Sequence, residues 1–133
     1  MRSLQTSRFL RWVLFADAAT CIVTGLLMMF ASEPLERLLG LPSAMFRYAG
    51  ISLLPFAAFL IYLATRDDLS ERVLWAVIIL NGLWTVDSLL LLATGWVAPT
   101  DLGYAFVTAQ AVAVALFAGL EYAGMKRSAA ATA

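Results

Sequence analysis

The chain has 133 residues, of which 62% are hydrophobic and 14% charged, and its nine basic and nine acidic residues give a net charge of zero. Because soluble domains are only about 45–50% apolar, this composition predicts a single polytopic membrane domain over residues 1–133, and no basic tract is present to bind nucleic acid. One cysteine, Cys21, and no histidine exclude a disulfide framework, a CxxC thiol pair and the common zinc sites, so we expect neither cofactor nor metal.

Four apolar segments follow one another along the chain. At a rise of about 1.5 Å per residue, about 20 helical residues cross the hydrocarbon core of a bilayer. Hydrocarbon offers the backbone no water, so each segment is expected to be a helix. The sequence predicts an all-α fold, an antiparallel up-down bundle of four transmembrane helices at residues 9–30, 45–64, 73–93 and 101–122.

The connection after the first span is short and amphipathic. Pro34 suits the first turn of a helix and Gly40 suits its C-terminal cap. Leu35, Leu38 and Leu39 would share one side of that helix. We therefore expect a short interfacial helix, lying on the membrane surface between the first two spans.

The remaining connections are polar or rich in small residues. Residues 66–72 predict a hydrated loop, in which Asp68 and Glu71 have the spacing of a capping pair for the third span. Thr100 is expected to cap the fourth span. The small residues at 124–133 predict a mobile tail.

The basic residues are divided unequally between the two ends of the predicted spans. Arg37 and Arg47 fall at one end, and the other seven of the nine fall at the opposite end: Arg2, Arg8, Arg11, Arg66, Arg72, Lys126 and Arg127. By the positive-inside rule, both termini are predicted to be cytoplasmic. The first apolar run is too long for the hydrophobic region of a signal peptide, so we expect it to be retained.

Polar side chains occur inside the predicted spans. Asp17 and Asn81 both lie about 12 Å from the inner edge, so they are predicted to pair. Asp87 and Gln110 both lie about 9 Å from the outer edge, where Arg47 is expected to reach them and complete an outer cluster. The candidate ligand-binding or polar-core residues are Arg47, Asp17, Asn81, Trp84, Asp87 and Gln110.

These residues allow two interpretations. In the first, they are structural, because interhelical hydrogen bonds fix the register of a bundle and contribute about 0.6–2 kcal/mol each. In the second, they line a site, because intramembrane carboxylates often mark proton paths, cation paths or ligand contacts. Asp17 has no basic partner in reach and is expected to be protonated. Trp84 with Phe106 and Phe117 offers an aromatic pocket, although helix packing explains the same rings.

Three strings are similar to those of a family of small bacterial four-helix membrane proteins. They are Asn81-Gly82-Leu83-Trp84, Gly95-Trp96-Val97-Ala98-Pro99-Thr100 and Leu39-Gly40-Leu41-Pro42. The resemblance covers most of the chain. It implies the four-helix architecture and a bacterial inner (plasma) membrane, and it carries no activity or substrate.

We therefore expect an integral membrane protein without catalytic activity. It would be an accessory, scaffold or interaction subunit that contacts the lipid bilayer and forms a homo-oligomer or joins a larger membrane complex. No pairing of a nucleophile with a base is discernible, so no catalytic residue is predicted. The alternative is a small proton-coupled transporter, or a protein that binds a hydrophobic ligand such as a quinone or isoprenoid, using Asp17 and Asp87.

Overall fold

The computed structural model describes the backbone of residues 3–132 and the side chains of residues 3–128. This part of the chain is helical apart from a small antiparallel sheet. The strands are β1 (Ser3–Gln5) and β2 (Asp68–Ser70), and the helices are α1 (Arg8–Phe30), α2 (Ser32–Leu39), α3 (Ser43–Ala64), α4 (Glu71–Thr94) and α5 (Asp101–Thr132).

Four of the helices are long and apolar enough to cross a membrane, namely α1, α3, α4 and the Asp101–Ser128 part of α5. They contain 23, 22, 24 and 28 residues, so at about 1.5 Å per residue each is as long as a hydrocarbon core is thick. Each helix begins within two residues of its predicted start. The prediction of four helices long and apolar enough to span a membrane is confirmed, which fits a membrane protein.

The helix ends test the predicted capping residues. Gly40 ends α2 with a φ of 72°, a left-handed conformation that glycine adopts without strain. The Thr100 hydroxyl accepts a hydrogen bond of 3.1 Å from the Gly103 amide, as predicted for a cap of α5. The predicted capping pair is wrong, because Asp68 lies in β2 and Ser70 precedes α4 without a side-chain cap.

The long helices pack as two pairs. Helix α3 packs along α1, α4 packs along α5, and the pairs meet where α1 contacts α5. Helices α3 and α4 have little direct contact with each other. The bundle is therefore held together through α1 and α5, and its α3 and α4 side stays partly open.

A close glycine crossing joins α1 to α3. An added Cβ at Gly50 would lie 2.6 Å from the carbonyl oxygen of Gly25 and 2.7 Å from Met29 Cγ. Only glycine lets the two backbones approach this far, as small residues do in other membrane helix pairs. No pattern in the sequence predicted this crossing.

Helix α5 continues to Thr132, through residues for which the sequence predicts a mobile tail; Ala133 lies outside the described residues. Gly124 packs against Leu10, and an added Cβ would lie 2.9 Å from Leu10 Cδ1. Met125 is buried, and the Ser128 hydroxyl accepts a hydrogen bond of 3.2 Å from the Ser7 amide. The alanine-rich sequence favours helix, and these contacts hold the last turns against the start of α1.

The predicted hydrated loop contains a strand instead. Leu4 of β1 lies opposite Leu69 of β2, and both side chains are buried. Arg11 braces the same region by donating to the Ala64 carbonyl oxygen at 3.1 Å and pairing with Asp67 at 3.4 Å. The sheet lies where α1 and α4 begin and α5 ends. We call this the basic end, because it holds Arg8, Arg11, Arg66, Arg72, Lys126 and Arg127.

A short helix, α2, is present between the first two long helices, and its place on the membrane surface stays a prediction. It packs on α3 and α5. Thr100 fixes its C-terminus: the Thr100 hydroxyl donates to the Leu38 carbonyl oxygen at 2.7 Å, and the Thr100 amide donates to that of Leu39 at 2.9 Å. The end of the bundle away from the basic end is thus closed by α2 and the start of α5.

Candidate functional site

Three polar side chains from three helices meet inside the bundle. Asn81 of α4 donates from Nδ2 to Asp17 Oδ2 of α1 at 3.0 Å and to Glu121 Oε1 of α5 at 2.6 Å. Asp17, Asn81 and Glu121 are 2%, 4% and 0% exposed. We call these residues the buried triad. The predicted pairing of Asp17 with Asn81 is confirmed.

Glu121 is the one member of the buried triad that was not among the candidate residues predicted from the sequence. A helix ending at residue 122 would leave Glu121 at the membrane boundary. With α5 extended to Thr132, Glu121 lies eleven residues from the helix end, or about 16 Å. Asp17 and Asn81 lie about 14 and 15 Å from the starts of α1 and α4 by the same rise, so all three are level.

The basic side chains near this level point elsewhere. Arg11 contacts Asp67 and the end of α3, while Arg66, Lys126 and Arg127 lie over the rings of Tyr62, Tyr122 and Phe9. Arg8 and Arg72 are exposed. The triad carboxyls therefore have no basic partner among the described residues.

The triad requires a proton to be well bonded. Glu121 Oε2 is buried and receives no hydrogen bond from the described residues, and the only amide present already serves both carboxyls. A proton on one of the two carboxyls would supply the donor that this arrangement lacks. The Cys21 thiol adds a weak donor at 3.6 Å from Asp17 Oδ1. The arrangement can thus link three helices and hold a proton.

A second polar group lies nearer the other end, where α4 faces α5. Trp84 Nε1 donates to Gln110 Oε1 at 2.7 Å, and Gln110 Nε2 donates to Ser88 Oγ at 2.9 Å. The Ser88 hydroxyl donates to the Trp84 carbonyl oxygen at 2.8 Å, and Gln110 Nε2 also reaches the Val107 carbonyl oxygen at 3.1 Å. We call Trp84, Ser88 and Gln110 the outer network.

The predicted outer cluster does not form as expected. Gln110 bonds Trp84 and Ser88, and within the described residues neither Arg47 nor Asp87 has an ion-pair partner. Both side chains are exposed. The cause lies at Phe46, which is buried with its ring edge-to-face with Phe106 at 6.3 Å. With Phe46 directed inward, Arg47 is rotated by about 100° away from the bundle interior.

Between α3 and α4 lies a partly open space that we call the lateral cleft. It comprises two cavities of about 270 and 170 Å³, and Trp84 lines both. The larger one lies at the level of the outer network and is lined by Met28, Leu41, Met45, Phe46, Ala49, Trp84, Asp87, Ser88, Leu91, Phe106, Val107 and Gln110. The smaller one lies nearer the basic end and reaches Cys21 and Asn81.

A third, narrow cavity of about 40 Å³ joins the two polar groups. Its lining includes Asp17 and Cys21 at one level and Trp84 and Gln110 at the other. A volume of this size holds one or two water molecules. The buried triad and the lateral cleft are therefore neighbours within one interior.

No protein-family model, no curated protein and no solved structure matches this chain. Within the part of the chain that the structure describes, no group of three or more histidine, cysteine, aspartate or glutamate side chains is placed to hold a metal ion. The lateral cleft and the two polar groups are therefore the features of this chain that bear on its function.

Proposed function

We propose that this protein is a non-catalytic integral membrane protein that binds a small apolar or amphiphilic molecule from the bilayer in its lateral cleft. The observation that carries the proposal is that α3 and α4 have little direct contact with each other, although the two helix pairs are joined where α1 contacts α5. A bundle whose polar core served stability alone would be expected to bring these helices together. The cleft instead leaves aromatic and aliphatic side chains facing an open space.

The chemistry of the cleft supports this function. Small-molecule sites are concave and mostly apolar, with a few placed polar groups, and typically measure about 300–1,000 Å³. The two cavities of about 270 and 170 Å³ share Trp84 in their linings, and their combined volume falls within that range. The aromatic pocket expected from the sequence is partly present, since Trp84 and Phe106 line the larger cavity, while Phe117 lines the narrow one.

Membrane orientation is part of the proposal. We propose a four-helix up-down bundle in a bacterial inner membrane, with both termini cytoplasmic and α2 at the outer surface. The basic end supports this, because it carries six of the basic residues that the structure describes, against Arg37 and Arg47 elsewhere. Reporter fusions at each terminus, active only in the cytoplasm, test it: two silent fusions overturn the orientation.

The binding proposal is tested by tryptophan quenching in lipid nanodiscs. A brominated single-chain alcohol is titrated into the wild type and into Trp84→Phe, and the difference isolates the response of Trp84. Trp12, Trp75 and Trp96 are exposed, so they report general partition into lipid. We expect a saturable Trp84 response.

A matched pair of variants on α3 locates the binding. Ala49 lines the larger cavity, whereas Ala58 is exposed on the same helix. Ala49→Phe fills the cavity and should weaken the Trp84 response by about tenfold, the effect of losing a well-packed apolar contact. Ala58→Phe should leave it unchanged. Equal responses in both variants, or a response that never saturates, would count against a binding site.

The accessory or scaffold role expected from the sequence is a second candidate. Gly82 of α4 and Gly119 of α5 support it, because an added Cβ would meet no described atom within 4 Å at either position. Such glycines allow another helix to approach closely. Cross-linking of single-cysteine variants at these positions tests the role: monomers in native membranes would exclude a homo-oligomer through this surface.

A further inference from the structure

We infer that the lateral cleft takes a lipophilic cation, an apolar body carrying an amine or quaternary ammonium group, with the Asp87 carboxylate as its counter-ion. The inference rests on the proposed function and names the ligand class of the same site. It depends on which polar atoms of the cleft still lack a partner.

The outer network offers a ligand almost nothing. The Trp84 indole donates to Gln110, the Gln110 amide donates to Ser88 and to the backbone, and the Ser88 hydroxyl donates to the backbone. Every N–H and O–H of the network is engaged, so a ligand acceptor would have to break bonds already made within the protein; Gln110 Oε1 and Ser88 Oγ each keep only one neutral lone pair for a donor. Since exchanging one hydrogen bond for another yields little net free energy, recognition through this network is weak.

Asp87 is different. Asp87 lines the larger cavity, and its carboxylate has no hydrogen-bond or ion-pair partner among the described residues. It lies seven residues before the end of α4, about 10 Å inside the helix. A charged carboxylate at that depth is costly and usually faces a pathway or a ligand. An ionised carboxylate accepts hydrogen bonds and attracts positive charge, so it selects a cationic group.

The rest of the cavity suits the remainder of such a ligand. Trp84 and Phe106 both line it, and aromatic faces attract cations as well as apolar bodies. The other walls are aliphatic or thioether side chains, among them Met28, Leu91 and Val107. A hydrophilic cation would gain nothing from these walls, so the ligand must be lipophilic.

Arg47 is the competing cation. It lies at the same end of the bundle on α3, but its exposed guanidinium makes no ion pair with Asp87. The buried Phe46 side chain takes the inward position, so Arg47 is rotated away from the bundle interior. If Arg47 occupied the carboxylate, the cleft would have no charge to offer a ligand. The experiment must therefore separate a ligand cation from this side chain.

Two brominated amphiphiles of equal chain length provide the test, one ending in trimethylammonium and the other in a neutral hydroxyl. The protein is held in nanodiscs of zwitterionic lipid, so that the bilayer itself does not concentrate the cation. Quenching of Trp84 is again taken as the difference from Trp84→Phe. We expect the cation to bind about tenfold more tightly than the alcohol, as one charge-assisted contact allows.

The variants assign that preference to one carboxylate. Asp87→Asn should weaken binding of the cation by about tenfold and leave binding of the alcohol within about twofold. Asp101→Asn is the matched control, because Asp101 is an exposed carboxylate at the start of α5, near the same end of the bundle. It should change neither. Arg47→Gln should leave binding of the cation within about twofold, since Arg47 does not occupy Asp87.

The outcomes separate the two proposals. If both amphiphiles quench Trp84 with equal affinity and Asp87→Asn changes nothing, the cation inference is overturned while the binding site stands. If Arg47→Gln raises the affinity of the cation about tenfold, Arg47 is the counter-ion of Asp87 and the inference is also overturned. If neither amphiphile reaches Trp84, the proposed function itself has failed.

Discussion

The buried triad and the outer network lie in the same bundle but close it to different degrees. At the level of the triad, α1, α4 and α5 each contribute a polar side chain, and Asn81 bonds two of them at once. At the level of the outer network only α4 and α5 do so, while α1 contributes Met28 and α3 contributes Phe46. The triad side chains are buried and only Asn81 borders the smaller cavity of the lateral cleft, whereas all three residues of the outer network line the larger one.

The difference shows how polar groups can either close or open a membrane bundle. Lipid tails are as apolar as leucine side chains, so helices in a membrane gain little from apolar contact alone. A hydrogen bond across three helices draws them together, as at the triad. Where one helix pair satisfies its own polar groups, the facing helix has no reason to approach, and space remains for a ligand.

The largest expected effect is at Asn81. Asn81→Leu removes both donors of the triad and leaves two buried carboxyls facing an apolar side chain. We expect a loss of about 3 kcal/mol in the free energy of unfolding, measured by equilibrium unfolding in mixed micelles. The control is Thr85→Val, one turn later, where the hydroxyl bonds mainly to its own helix at 3.0 Å. Similar losses in both variants would show that the triad does not hold the helices together.

The next effect is at the glycine crossing that sets the distance between α1 and α3. Gly50→Ala places a methyl group 2.6 Å from the Gly25 carbonyl oxygen, so the helices must separate. We expect a loss of about 2 kcal/mol, because overpacking of this kind typically costs 1–3 kcal/mol. The matched substitution Gly82→Ala, which meets no described atom within 4 Å, should cost nothing. Displacement of α3 should also alter the Trp84 response to the brominated alcohol.

A smaller effect is expected at Gln110. Gln110→Ala frees the Trp84 indole and the Ser88 hydroxyl, which both face the cleft and can meet water or a ligand instead. We expect a loss of about 1 kcal/mol, a typical net value for such bonds. Thr108→Ala, at an exposed position of α5, is the control. A loss as large as that of Asn81→Leu would show that the outer network also holds the helices together. That result would contradict the difference argued between the buried triad and the outer network.

Where the sequence marks the start of a helix clearly, counting residues from that start was sufficient to predict the pairing of Asp17 with Asn81. Asp17 and Asn81 follow polar stretches that fix where α1 and α4 begin, so counting residues placed both at one level. Glu121 was missed because the C-terminal sequence carries no stop signal, and its alanines suit a helix as well as a loose tail. The contact of Gly124 with Leu10 favours the helix over the loose tail. Because it is a tertiary contact, the local sequence did not reveal it.

The contacts at the level of the outer network were harder to predict, because they depend on which side of its helix a residue lies on as well as on its depth in the membrane. Arg47 has the depth to meet Asp87, but its neighbour Phe46 takes the inward position through its contact with Phe106. A single apolar residue one position away thus decided which side chain enters the bundle. The strands were missed for a similar reason: β1 and β2 contain three residues each, too few for an alternating pattern to be recognised.

The smallest expected effect on stability is at Asp87, and it gives the sharpest contrast with the triad. Asp87 has no partner among the described residues, so Asp87→Asn removes a charge without breaking a bond. We expect no loss in the free energy of unfolding, because the substitution removes a charge that is costly inside the bilayer. The same substitution at Asp17 alters a carboxyl bonded to Asn81 and Cys21 and should cost more. A clear loss at Asp87 would instead reveal a partner for its carboxylate, and a double-mutant cycle with Arg47→Gln would show whether that partner is Arg47.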